Sequence, residues 1–215
     1  MDTNCRQELE QAICWAGAVL HQRQFVVANE GNITARLEAN RFLCTPTQTS
    51  KADLVPAELA VIDSDGVQIS GPKPRSSEAL AHLAVYRLRS DVQCIIHCHA
   101  PHATAFALTG TPVPSGISPE VELFLGEIPT VPYATPGTVE LGEQISHYCD
   151  DAWALILANH GVLVLGSDVR QALWRTEILE AYCRNLILAR TLGPLQALTP
   201  EQCEAIRNQR AVWGL

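Results

Sequence analysis

A chain of 215 residues with 47% apolar side chains can bury one sizeable core, and a single domain over 1–215 with a helical tail from about residue 193 accounts for it. A net charge of −8 without any basic cluster argues against nucleic acid as a partner, and no apolar run approaches the roughly 18 residues of a membrane span. The polar opening MDTNCRQELEQAICW lacks the apolar stretch of a secretory signal, so the eight cysteines are expected to be reduced thiols of a cytoplasmic protein.

Residues 5 to 22 place Leu9, Ala12, Ile13, Ala16, Val19 and Leu20 at helical spacing, which predicts an amphipathic first helix. After the glycine-bearing ANEGN come two short β-type runs, ITARL and RFLCT. In TPTQTSKADL, Ser50 and Asp53 have the spacing of a capping box and open a short helical turn. LAVIDSDGVQIS reads as a hairpin turning at Asp65 and Gly66. Beyond GPKP, Ser76 and Ser77 start a helix that runs to about Leu88, with Glu78 in its first turn.

The β-branched run from Val92 to Ile96 predicts a buried strand continuing into the histidine pair of CIIHCHA. Strand side chains alternate, so His97 and His99 share one face and Cys94, Ile96 and Cys98 the other. Residues 100 to 108 read as helix, 110 to 136 with six prolines as loop, and 137 to 149 as helix again. WALILANHGVLVLG is a strand, turn, strand signal centred on Asn159, His160 and Gly161, and a long helix covers 168 to 191. Strand pairs joined by short turns indicate an α/β domain with a largely antiparallel sheet.

Singly, the polar residues have plain explanations. An isolated histidine pair serves as well for hydrogen-bonded core imidazoles as for metal binding. A glutamate in a first helical turn complements the helix dipole, and a histidine in a turn makes a local bond. Taken together, Glu78, His97, His99 and His160 supply three imidazoles and a carboxylate, a set that suits Zn²⁺, with Mn²⁺, Fe²⁺ or Co²⁺ as substitutes. His82, one helical turn beyond Glu78, reads as a packing or supporting residue. Around them Gly31-Asn32, Thr47-Gln48 and Ser76-Ser77 are rich in hydroxyl, amide and backbone N–H donors, which hold a phosphate without lysines; the serines also suit plain helix caps.

The blocks GNITAR, TPTQTSKADL, PRSSEALAHLAVYRLRSDVQCIIHCHAPHATAFA, VPYATPGT and ANHGVLVLGSDVRQAL resemble, in order over roughly residues 5 to 192, the class II aldolase/adducin family. The resemblance implies a three-layer αβα sandwich, assembled as a homotetramer with active sites between subunits, and Trp213 is then placed to cover a neighbour's site. It assigns Glu78, His97, His99 and His160 to the metal, and Asn32, Thr47, Ser76 and Ser77 to the substrate phosphate, with Asn29 nearby.

The activity so implied is fuculose-phosphate-aldolase-like: cleavage of a small phosphorylated ketose through a zinc-stabilised enediolate, with Glu78 moving the proton at the nucleophilic carbon. The chain departs from the family's aldolases at Gln48, where they carry glycine, at Ser118, where they carry a tyrosine acid, and at Trp213, where a C-terminal tyrosine is replaced. Glu120 in SGISPEVEL, with Glu122 as local rival, is the replacement acid expected from the family's dehydratases. Dehydration, 4-epimerisation or decarboxylation of a related sugar phosphate on the same site is the alternative, and a non-catalytic adducin-like module the more distant one.

Overall fold

The computed structural model describes residues 3–213, with strands β1 (Asn32–Glu38), β2 (Arg41–Cys44), β3 (Ala60–Asp63), β4 (Gln68–Ser70), β5 (Cys94–Cys98), β6 (Thr130–Val131), β7 (Ala154–Leu157) and β8 (Gly161–Gly166). The helices are α1 (Thr3–Gln22), α2 (Ala79–Leu88), α3 (Pro101–Thr109), α4 (Pro119–Phe124), α5 (Val139–Ser146), α6 (Val169–Leu192) and α7 (Pro200–Trp213). The strands form one sheet in the order β4-β3-β2-β1-β5-β8-β7-β6. Its neighbours are antiparallel except β6 and β7.

Alternation along the strands decides the layering. Cys94, Ile96 and Cys98 of β5 turn to one face, where Ile13 of α1, Phe106 of α3 and Leu173 of α6 cover them. Ile95 turns to the other, among Leu83 of α2 and Ile145 of α5. Both faces of the central strands are therefore apolar, and the result is the expected three-layer αβα sandwich. No described helix is long and apolar enough to cross a membrane.

Local signals place most elements. Asp63 accepts from the backbone N–H of Asp65 (3.0 Å) and Val67 (2.8 Å), closing the β3–β4 hairpin. Ser50 caps a 3₁₀ turn over Lys51–Asp53 through the N–H of Ala52, and Asp168 caps α6 through that of Gln171.

Three expectations need correction. Helix α2 begins at Ala79, leaving Glu78 at the capping position and Ser76 and Ser77 outside; Ser76 Oγ instead accepts from the Glu78 N–H at 3.3 Å. Strand β5 starts at Cys94 and ends at Cys98, so His99 lies beyond it. The segment 110–136 is not all loop, because it contains α4 and β6.

Glu122 of α4 explains part of that order. It is 1% exposed and accepts from the Gly116 N–H (2.5 Å) and Arg207 Nη1 (3.1 Å), while Arg210 Nε donates to Leu123 O. Helix α7 is thereby pinned to α4, and this short helix is held in part by partners that lie far along the chain. The Trp213 side chain, expected to cover a neighbouring site, lies outside the described residues.

Candidate metal centre

Four segments meet at one end of β5. In the sheet, His97 sits opposite Asn32 of β1 and Leu163 of β8, so its position is held from both sides. His97 Nδ1 donates to Val162 O at 2.9 Å, which leaves the lone pair on Nε2. His99 follows the strand and its backbone N–H donates to Phe25 O (2.9 Å). Its Nδ1 lies 3.1 Å from Glu30 Oε2, again leaving Nε2 free.

His160 rides the β7–β8 turn, where Asn159 adopts the left-handed conformation that asparagine tolerates (φ 58°). Its ring centroid is 4.5 Å from that of His97 and 5.2 Å from that of His99. Ligand nitrogens of the three histidines lie within 4.8 Å of one another.

Glu78 borders two of the three histidines. Asn32 Nδ2 donates to its Oε2 at 2.7 Å, and that oxygen is 3.5 Å from His97 Nε2 while Oε1 is 3.4 Å from His160 Nε2. Ligands about 2.1 Å from a tetrahedral ion stand roughly 3.4 Å apart, so these separations suit a shared cation. The chemistry agrees: Glu78 Oε1, His97 Nε2 and His99 Nε2 are buried without a hydrogen-bond partner among the described residues. Burial pushes His97 down to about 3; burial and then His97, against the pull of Glu78, hold His160 at about 4. At neutral pH both rings are uncharged, as a ligand must be.

Glycine makes the closeness feasible. At Gly161 a Cβ would stand 2.5 Å from His99 Cδ2 and 2.6 Å from Cys98 O. Gly31 combines φ 70° with a would-be Cβ 2.8 Å from His97 O, so the loop before β1 runs directly against β5. Gly161→Ala is expected to displace His99, cost about 1–3 kcal/mol of stability and weaken metal binding. Isothermal titration of a divalent ion checks this; wild-type affinity would refute the crowding argument.

The proposed phosphate residues lie on adjoining segments. Ser76 N donates to Thr45 O (3.1 Å), Thr47 N to Pro74 O (2.9 Å) and Thr45 N to Ile33 O (3.0 Å), so the segments carrying Ser76, Thr47 and Asn32 run side by side. Thr47 is half-buried, Ser76 buried and Ser77 exposed, while one amide N–H of buried Asn32 is committed to Glu78. Gln48 has φ 53°, the conformation for which glycine is the natural residue.

Within the chain, Glu120 is not brought to this cluster. It is exposed, accepts from Ser118 Oγ at 2.7 Å, and lines a groove with Tyr182, Asn185 and Leu186 of α6, in the layer opposite α2. Glu122 is committed to α7, as described. His82 stays outside the histidine group, with Nδ1 2.9 Å from Thr34 Oγ1. Glu30, beside His99, was not singled out from sequence; its one signal is its place just before Gly31 in ANEGN.

A family model described as Class II Aldolase and Adducin N-terminal domain matches residues 11–187. The chain is 30% identical over 208 residues to a 3-oxo-tetronate 4-phosphate decarboxylase of Escherichia coli K12, covering 94% of this chain and 96% of that one. It is 33% identical over 162 residues, 75% of this chain and 87% of the relative, to an L-fuculose phosphate aldolase of Methanococcus maripaludis. The solved structure of an L-fuculose 1-phosphate aldolase superposes with a TM-score of 0.88 at 26% identity, covering 94% of this chain and 95% of that one.

Proposed function

The chain belongs to the class II aldolase and adducin family as one of its enzymes, and from that premise we propose that it is a metal-dependent carbon–carbon lyase that decarboxylates a small phosphorylated 3-oxo sugar acid. The likeness to a 3-oxo-tetronate 4-phosphate decarboxylase over 94% of the chain carries this reading, and the placement of carboxylates within the chain accords with it. Glu78 touches His97 and His160 and Glu30 is occupied with His99 Nδ1, whereas Glu120 stands away on the α6 side. Aldol cleavage needs a base at the departing hydroxyl as well as an acid at the new enolate carbon. Loss of CO₂ needs only the second, and one carboxylate can provide it.

Under this proposal Glu78, His97, His99 and His160 hold the metal, Zn²⁺ by ligand type. A bound divalent cation would supply positive charge beside the substrate's 3-oxo oxygen, where negative charge develops. The chain's residues do the rest. Thr47, Ser76 and Ser77, with Asn32 beside them, grip the phosphate and so orient the acid. The bond to the carboxylate carbon breaks, its electron pair moves towards the 3-oxo oxygen, CO₂ departs, and the remaining carbon takes a proton. Glu78, released as the substrate enters and protonated from solvent, delivers that proton while Asn32 Nδ2 holds its other oxygen. The product is a hydroxyketone phosphate one carbon shorter.

The second reading is the aldol cleavage of a phosphorylated ketose, supported by the likeness to fuculose-phosphate aldolases. It would draw its second acid–base group, such as Glu120, from another subunit. A cytoplasmic homotetramer is part of both readings, and the exposed Trp15, Trp174 and Leu192 offer apolar surface for it. Assay of the metal-loaded protein on 3-oxo-tetronate 4-phosphate and on L-fuculose 1-phosphate separates the two. We expect CO₂ release from the first at roughly a hundredfold or greater advantage in kcat/KM. Aldehyde release from the second as the faster reaction would overturn the decarboxylase.

A further inference from the structure

Lys51 is 1% exposed, among the largest fully buried side chains, although an ammonium group is rarely buried without an anion. Among the described residues no carboxylate pairs with it. Its Nζ donates to Thr49 O at 2.7 Å and to Asn29 O at 3.3 Å, using two of three N–H bonds. Burial lowers its pKa to about 8.

The two acceptors belong to the two segments that form the polar cradle. Asn29 lies in the loop that leads through Gly31 to Asn32. Thr49 Oγ1 donates onward to Thr47 O at 3.3 Å. We propose that Lys51 is a positioning residue for the substrate's phosphate: its ammonium ties the Asn29 loop to the Thr47–Thr49 segment and places an uncompensated positive charge behind a cradle otherwise made of neutral donors. The anion missing from the protein is then supplied by the substrate. This accounts for a dianionic group being held by hydroxyls and amides alone, since a buried charge acts across a low dielectric without touching the ligand. It also gives the site a preference for phosphorylated over unphosphorylated sugars.

The inference rests on the phosphorylated-substrate reading above. Its test is calorimetric titration of inorganic phosphate into full-length, metal-loaded protein, for wild type, K51M, K51Q and K51R, with metal content and folding measured in parallel. We expect K51M and K51Q to bind phosphate roughly tenfold or more weakly at full metal content, and K51R to stay within about threefold of wild type. Wild-type affinity in folded K51M overturns the proposal and leaves the phosphate reading standing. Failure of wild type itself to bind phosphate removes that reading and this one with it. If K51R folds while K51M and K51Q do not, the charge serves the fold and the proposal falls.

Discussion

His97→Ala combined with His99→Ala is expected to abolish bound metal and reduce turnover to background, leaving a folded chain. Two of the four proposed ligands are lost, and His160 and Glu78 alone cannot enclose an ion. Folding should survive because few of the atoms of the two rings are bonded. His97 makes one hydrogen bond, to Val162 O, and His99 Nδ1 has one partner, Glu30. Losing one such buried bond costs about 1–3 kcal/mol, against a typical domain stability of about 5–15 kcal/mol. Elemental analysis with circular dichroism checks the outcome. Full metal retention in the double variant would move the centre elsewhere.

Glu78→Gln is expected to lower kcat by roughly 10²- to 10⁴-fold, the usual share of a general acid or base. Glutamine keeps the size and an oxygen for Asn32, but it offers no transferable proton and no negative charge to the cation. Metal affinity should fall as well, since Oε1 lies 3.4 Å from His160 Nε2 and Oε2 3.5 Å from His97 Nε2. KM for a phosphorylated substrate should change much less, because the hydroxyl donors are untouched. The reaction run in D₂O supplies the decisive reading: unaltered rate of deuterium entry into product by the variant would assign protonation to another group, with Glu30 next in line.

We propose decarboxylation ahead of the aldol cleavage that the family resemblance implies. The decarboxylase likeness carries that order, and the placement of Glu120 within the chain accords with it. Glu120 follows a proline in a segment that reads as a loop, where its side chain is free to be imagined over the substrate. In the fold, Pro119 instead starts α4, Val121 enters the core beside α6, and Glu122 is drawn to Arg207, so Glu120 is turned towards the α6 groove. Nothing within SGISPEVEL announces this, since Arg207 lies 85 residues away.

Whatever depends on a few neighbouring residues was legible in the chain's local pattern. The alternation in CIIHC sends His97 and Cys98 to opposite faces, the Asn-His-Gly turn sets His160 at a strand end, and short hairpins make the sheet antiparallel; each is set by local backbone sterics. Only the tertiary structure decided how those pieces combine. Glu78 became a capping residue bound to Asn32 across 46 positions of chain. Lys51, an ordinary surface residue by composition, became fully buried beside Gly17 of α1, with its ammonium on the carbonyls of Asn29 and Thr49. Such contacts arise when distant segments stack in one sheet order, and their energies depend on burial and partners that no local pattern records.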